Sequence, residues 1–355
     1  MTPLQPFTIA GYTSGLQTDK KPFLITDKAF SVLNNAYVYR ERVVKREGLK
    51  FIGRLRRIID ATGINTNNLL TGFEASATLV PGSISIIGAG GFTWKDTNAD
   101  GILIPNTVVP NGSVNYITGD FIGPSVALTG GSFAYNPNLP VMGIESRDLS
   151  TINNEQTIFF DTKYAYLFDG TNFNWISPYT WNGTDADFFS STNYQGADSS
   201  IRTFFVTNFV DSAGSPIRYT QDGTIFTDFA PILDGVGTLL LQARILIPYY
   251  GRLLAFNTIE GTAYGLPGNK KFFNRVRFSQ IGNPLEADAW QVNIFGKGGF
   301  ADAPTAETII DVKFFKNTLI VFFEKSTWQL RFVGEYGTPF LFERISSDFG
   351  SESTF

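Results

Sequence analysis

Three groups of side chains in this sequence have types and spacings that could do chemistry. The first is Asp96-Thr-Asn98-Ala-Asp100-Gly101, with oxygen-bearing side chains at alternate positions and a closing glycine, like the first half of a calcium loop. The twelfth position of such a loop needs a bidentate glutamate and here is Thr107, and no flanking helices are legible. A polar hairpin turn between strands at 92–94 and 102–104 is the better reading. The second group is Asp161, Asp169, Asp185, Asp187, Asp222, Asp228 and Asp234. Paired carboxylates about 5–5.5 Å apart, or about 6.5–9.5 Å apart, would suit glycoside hydrolysis. Most of these aspartates sit beside Gly, Thr or Asn, where a carboxylate binds the amides of its own turn. The third group is basic: Arg40, Arg42, Lys45, Arg46, Lys50, Arg54, Arg56 and Arg57. On one strand Arg40, Arg42 and Arg46 share a face, a ribbon suited to DNA phosphates, to an acidic protein partner, or simply to solvent.

Other chemistry is excluded by what the chain lacks. It contains no Cys and no His. That removes disulfides, thiolate nucleophiles, the common zinc cages, the Ser-His-Asp triad and an imidazole base. Gly88-Ala-Gly90-Gly91 runs into Phe92-Thr-Trp94, which reads as a strand, so the helix N-terminus behind a phosphate cradle is missing. No cofactor is implied.

The elements that must carry these residues are strands. Of 355 residues, 34 are Phe, 14 Tyr and 5 Trp, while charged residues are only 17%, against about 25% in an ordinary globular protein. Thirty-five Gly and 17 Pro supply turns. No run approaches the ~18 apolar residues of a membrane-spanning helix, and the first 21 residues lack the basic and apolar regions of a secretory signal, so a soluble chain is expected. The net charge of −4 is uneven. Residues 1–57 hold eleven Lys or Arg against four Asp or Glu, a surplus of +7, and the rest hold 17 against 28, or −11.

Residues 1–34 read as an extended arm, with 35–46 as a hairpin or two short strands. Residues 69–145 are poor in charge, with short strands at 83–87, 114–118 and 126–128 that suggest a small antiparallel sandwich. From about 155 a loose repeat appears, in which paired strands flank polar turns such as Asp169-Gly170 and Asp222-Gly223. The pairs begin near 164, 204, 253 and 319, close to the 40–50-residue period of propeller blades, with a second sandwich as the competing architecture. Short helices are expected only at 27–33 and 285–290.

Three stretches together carry a resemblance. One is Pro22-Phe-Leu-Ile-Thr-Asp, running through Asn34-Asn-Ala-Tyr to Lys45-Arg-Glu-Gly-Leu49. The next is Gly112-Ser-Val-Asn-Tyr-Ile-Thr-Gly119, followed by Tyr135-Asn-Pro-Asn-Leu-Pro140. The third begins at Arg275-Val-Arg-Phe-Ser279, passes Ala289-Trp290 and Ala303-Pro-Thr305, and reaches Val321-Phe-Phe-Glu-Lys-Ser-Thr-Trp328 and Ser351-Glu-Ser-Thr-Phe355. In this order the chain resembles tail nozzle, or head–tail stabilisation (connector), proteins of short-tailed bacteriophages. The resemblance implies a propeller-based subunit of a homo-oligomeric ring below the portal and adaptor, around the channel that conducts double-stranded DNA. It also implies further chain after the segment matching Ser351–Phe355, which leaves the blade count open.

The expectation is an all-β chain: a propeller-like antiparallel body, a small inserted β-sandwich and an extended N-terminal arm. Its boundaries fall at 1–60 for the arm and basic hairpin, 61–150 for the insertion and 151–355 for the body. The expected function is non-enzymatic and structural, in the virion tail, with portal, adaptor and other tail proteins as partners, non-specific DNA in the channel and no membrane insertion. Arg40, Arg42, Lys45, Arg46, Arg54, Arg56 and Arg57 are the candidate contacts for partner or DNA, and no catalytic or metal residue is assigned. The alternative is a glycan-binding or glycan-cleaving propeller that recognises a host surface.

Overall fold

The computed structural model describes residues 52–60, 69–70, 79–88, 93–106, 111–118, 121–122, 131–148, 155–176, 178–196, 202–334 and 339–353, with four short strands before them. The chain divides into two units, 1–52 and 53–355. All described regular structure is β, and among the described residues no helix is long and apolar enough to cross a membrane.

In the first unit, Ala36–Tyr39 and Arg42–Lys45 form the expected antiparallel hairpin, with Tyr39 opposite Arg42 and Val38 opposite Val43. Ala29–Phe30, expected to be helical, instead pairs in parallel with Gly15–Leu16.

The second unit opens with one continuous eight-stranded antiparallel sheet. Its order is Arg57–Asp60, Gly131–Tyr135, Ser85–Gly88, Thr93–Lys95, Ile102–Pro105, Gly112–Val114, Phe121–Ile122 and Leu69–Leu70. Two facing sheets were expected here. They are joined because Ile102–Pro105 pairs on both sides, with Lys95 opposite Ile104 and Gly112 opposite Leu103. The Asp96–Gly101 segment is the predicted hairpin turn.

Four four-stranded antiparallel sheets follow, each an up-and-down meander in chain order. The first holds Val141–Asp148, Glu155–Asp161, Ala165–Phe168 and Phe173–Trp175, and the second Ser190–Gln195, Arg202–Thr207, Arg218–Thr220 and Thr227–Asp228. The third holds Leu239–Tyr249, Arg252–Gly261, Lys270–Phe278 and Gly299–Asp302, and the fourth Ile309–Phe315, Thr318–Phe323, Thr327–Phe332 and Phe340–Ser346. First strands begin at residues 141, 190, 239 and 309, so two steps are 49 residues and the third is 70. The longer step contains the loop after Phe278. Residues 285–290, expected to be helical, run there as successive turns. The buried Trp290 closes this loop by donating its indole N–H to the Pro284 carbonyl at 3.0 Å, while the Gln280 amide donates to Ala289 at 2.7 Å.

The period-2 geometry of a strand explains how the meanders associate, since successive side chains face opposite sides. Ile158 and Phe160 of the first sheet share a core with Phe204 and Val206 of the second. Phe205, on the opposite face of the second, joins Leu253 and Ala255 of the third. Leu254 and Phe256 then meet Leu319, Val321 and Phe323 of the fourth. Each middle strand thus serves two neighbours with alternate residues, and so reads as a continuous apolar run (Leu253-Leu-Ala-Phe256) instead of an alternating one.

Candidate functional site

The basic residues take different positions. Arg42 and Lys45 are the first and last residues of one strand of the N-terminal hairpin. Arg40, Arg46 and Lys50 lie outside the described residues. Arg54 and Arg56 are exposed, and Arg56 donates from Nη2 to the Ser85 hydroxyl at 2.9 Å.

Arg57 is turned toward protein. Its Nη1 donates to the hydroxyls of Tyr135 at 2.8 Å and Tyr164 at 2.6 Å, and its guanidinium lies 4.4 Å from the Trp175 ring centroid and 4.3 Å from that of Tyr164. It joins the eight-stranded sheet to the first meander. Replacing Arg57 with Met keeps the stem and removes two charge-assisted hydrogen bonds and the ring contacts. The expected cost is about 2–3 kcal/mol. A urea midpoint equal to that of the parent protein would refute this tie.

The aspartates are occupied locally. Asp96, buried, accepts from the amides of Asp100 and Gly101, and Asp100 accepts from that of Ile102. Among the described residues no group of three acidic side chains is placed to hold a metal ion. Asp161 accepts from the amides of Lys163 and Tyr164, each at 2.7 Å, and from the Tyr166 hydroxyl at 2.8 Å. Asp169, Asp222 and Asp234 each accept from amides two to four residues ahead. Asp187 binds Thr184, and Asp228 pairs with Arg218 at 2.9 Å.

These turns affect acid stability. The amides of Asn172 and Thr171 hold the Asp169 carboxyl below its ordinary value. At Asp222 burial raises the pKa, but the amides of Ile225 and Thr224 and the Thr220 hydroxyl outweigh it. At Asp234 the Thr238 hydroxyl contributes most to the lowering. A folded pKa below the unfolded one stabilises the fold above the unfolded value, near 4, and that stability is lost as pH falls through the folded pKa. The urea midpoint should therefore fall below about pH 4. A triple Asp→Ala variant at 169, 222 and 234 should show a flatter acid limb, and an unchanged limb would disprove the assignment.

The first strands of all four meanders converge on a cleft of about 340 Å³. Glu145 comes from the first sheet, Ser191 from the second, Arg244 from the third, and Asp311 and Lys313 from the fourth. Burial pushes the Glu145 carboxyl up, partly offset by the Ser191 hydroxyl and by Lys313, so a charge on the fourth sheet acts on one on the first. Lys313 also lies 3.4 Å from Asp311. The cleft has mixed charge, which suits packing of polar inner strands more than attraction of one ionic ligand.

A second cluster went unnoticed in the sequence. Glu260 is buried between two arginines, receiving Arg277 Nε at 2.8 Å and Nη2 at 2.5 Å, with Arg275 Nη1 at 3.4 Å. Arg275 also binds Asp302 through Nε at 2.7 Å and Nη2 at 2.8 Å, and its guanidinium sits 3.5 Å and 4.1 Å from the ring centroids of Phe272 and Phe300. No local motif marks these residues; only the register that sets Arg277 opposite Ala255 brings them to Glu260. No family model matches the chain, and no curated protein matches it.

Proposed function

We propose that this chain is a non-enzymatic structural subunit of a short-tailed phage virion, in a tail nozzle or connector ring that extends the head–tail channel and helps retain and conduct DNA. Its body is propeller-like, with the four meanders as successive blades. One observation carries the reading. Four consecutive four-stranded sheets are bonded face to face through dry aromatic and aliphatic cores, in which alternate residues of each middle strand serve alternate neighbours. That construction suits a rigid wall bearing mechanical load. The occupied carboxylates support it further, since six of the seven candidate aspartates are spent on local amides, hydroxyls or an arginine. The resemblance along nearly the whole chain supplies the nozzle assignment. The basic arm is the anchor to the neighbouring ring, and the acidic remainder repels DNA phosphates so that the duplex slides.

Electron micrographs of the purified protein should show rings, and antibodies against it should label virion tails. Monomers together with unlabelled tails would reject the reading. Replacing Arg40, Arg42 and Arg46 by Ala should weaken docking to connector particles, most at low salt, because at raised salt screening (over about 10 Å at 0.1 M) already removes much of the parent's charge attraction. Docking that stays unchanged would remove the arm from the account.

A further inference from the structure

Two sheet faces of the second unit stay uncovered among the described residues, and they belong to different sheets. The meander stack uses the other faces. Its three joints are filled by shared cores, and the outer face of the first meander packs Tyr166 and Phe173 against Leu55. What is left is the outer side of the fourth meander and one side of the eight-stranded sheet.

Alternation along the strands assigns the residues of both sides. In the eight-stranded sheet Ile86, Trp94 and Leu103 are buried, so Ile87, Thr93, Lys95, Ile102 and Ile104 point the other way. The three isoleucines among them are 41–46% exposed. In the fourth meander Leu319, Val321 and Phe323 face the third. Phe315, Ile320, Phe322 and Leu341 therefore take the outer side, where Phe315 is 67% and Leu341 48% exposed. Aliphatic and aromatic groups left in water across a sheet face mark a contact surface.

Charge decides which surface meets which. Residues 58–355 carry −11, so two copies repel over most of their surface. Among the described side chains the isoleucine side is basic: Lys95 stands on it, opposite Ser85, and Arg56 donates to the Ser85 hydroxyl. Two such sides repel each other. On the fourth meander the charges are matched within the face, Arg331 with Glu343 at 3.0 Å and Lys313 with Asp311 at 3.4 Å. A neutral apolar side accepts a basic apolar side, and that pairing covers both. Two unlike patches on one chain make a heterologous contact, the kind that closes into rings.

We propose that the isoleucine side of the eight-stranded sheet in one copy packs on the outer side of the fourth meander in the next, sheet on sheet. The inference rests on the ring reading and names the contact between neighbouring subunits.

The chain contains no Cys, so single-cysteine variants report the contact directly. Ile104→Cys and Leu341→Cys alter exposed positions. Each full-length variant alone, treated with a short bis-maleimide, should stay uncross-linked, and the co-expressed pair should give a covalent dimer. A dimer from either variant alone would show a like-to-like contact and overturn the proposal. So would rings in electron micrographs of a co-expressed pair that gives no dimer; the ring reading then stands and this contact alone fails. Leu341→Lys sets a charge in the apolar contact and should raise the protein concentration for half-assembly at least about tenfold. Unchanged assembly of Leu341→Lys, or a parent protein that stays monomeric, would also overturn the proposal.

Discussion

Glu260→Leu should destabilise the second unit by about 3–5 kcal/mol, the range for removing one partner of a buried ion pair. Total stabilities are about 5–15 kcal/mol, so the variant should unfold at visibly lower urea. The physical reason is asymmetry in what remains. Arg275 keeps two bonds to Asp302, but Arg277 loses its Glu260 carboxylate and stays buried with its charge facing Phe300 at 4.8 Å. Burial alone would lower the Arg275 pKa, yet the carboxylates of Asp302 and Glu260 more than offset it, so Arg275 is held charged. Removing both members of the tighter pair gives the sharper test. Glu260→Leu combined with Arg277→Met replaces two charges with apolar groups of similar reach, and should recover most of the loss. If the two single-variant costs simply add, the residues are uncoupled and the ion pair is not what organises this corner.

How much of this was legible in the sequence differs by element, for physical reasons. The third and fourth strands of the first meander, and the second and third of the others, were readable as aromatic or aliphatic runs beside polar turns; Asp169-Gly170 and Asp222-Gly223 each join a third strand to a fourth, and Gly170 and Gly223 do sit at positive φ, 96° and 84°. First strands were not readable. Ser190–Gln195 is Ser-Ser-Thr-Asn-Tyr-Gln, with Ser190, Ser191 and Thr192 lining the shared cleft and Tyr194 its one buried side chain. Val141–Asp148 likewise carries Gly143, Glu145 and Arg147. The pair near 164 begins on a third strand and those near 204, 253 and 319 begin on second strands, so the repeat read from them has unequal steps, whereas the first strands step by 49 residues twice.

Side-chain roles were harder to read than strands. Arg57 looked like the end of a charge run, but its partners Tyr135 and Tyr164 lie 78 and 107 residues away. The Glu260–Arg275–Arg277 cluster depends on a register shift between Phe256 and Thr258, which no propensity encodes. Local carboxylate roles were legible because such turns close within two to five residues, so Asp96, Asp169 and Asp222 behave as the sequence predicts.

Trp181→Ala should cost about 3–5 kcal/mol, the range for truncating a large buried aromatic. Trp181 belongs to the segment linking the first two meanders and is only 1% exposed. It makes edge contacts with Phe160, Phe189 and Phe226 at 5.6–5.8 Å between centroids, under the Arg218 guanidinium at 4.6 Å. Because these rings come from both sheets, truncation opens a cavity in the joint between them and removes the surface on which Arg218 rests. The buried indole N–H has no hydrogen-bond partner among the described residues, so Trp181→Phe deletes an unsatisfied donor along with part of the ring. The Phe variant should therefore cost less than about 1.5 kcal/mol, a gap from Ala that isolates packing from hydrogen bonding. Amide exchange supplies the location. In the Ala variant, Glu155–Asp161 and Arg202–Thr207 should lose protection before Thr318–Phe323 does, since only the first two sheets share that core. Uniform loss across all four sheets would mean that the joint is not a separable unit, and an Ala variant within about 1 kcal/mol of the parent would mean that the aromatic cluster does not hold the sheets together.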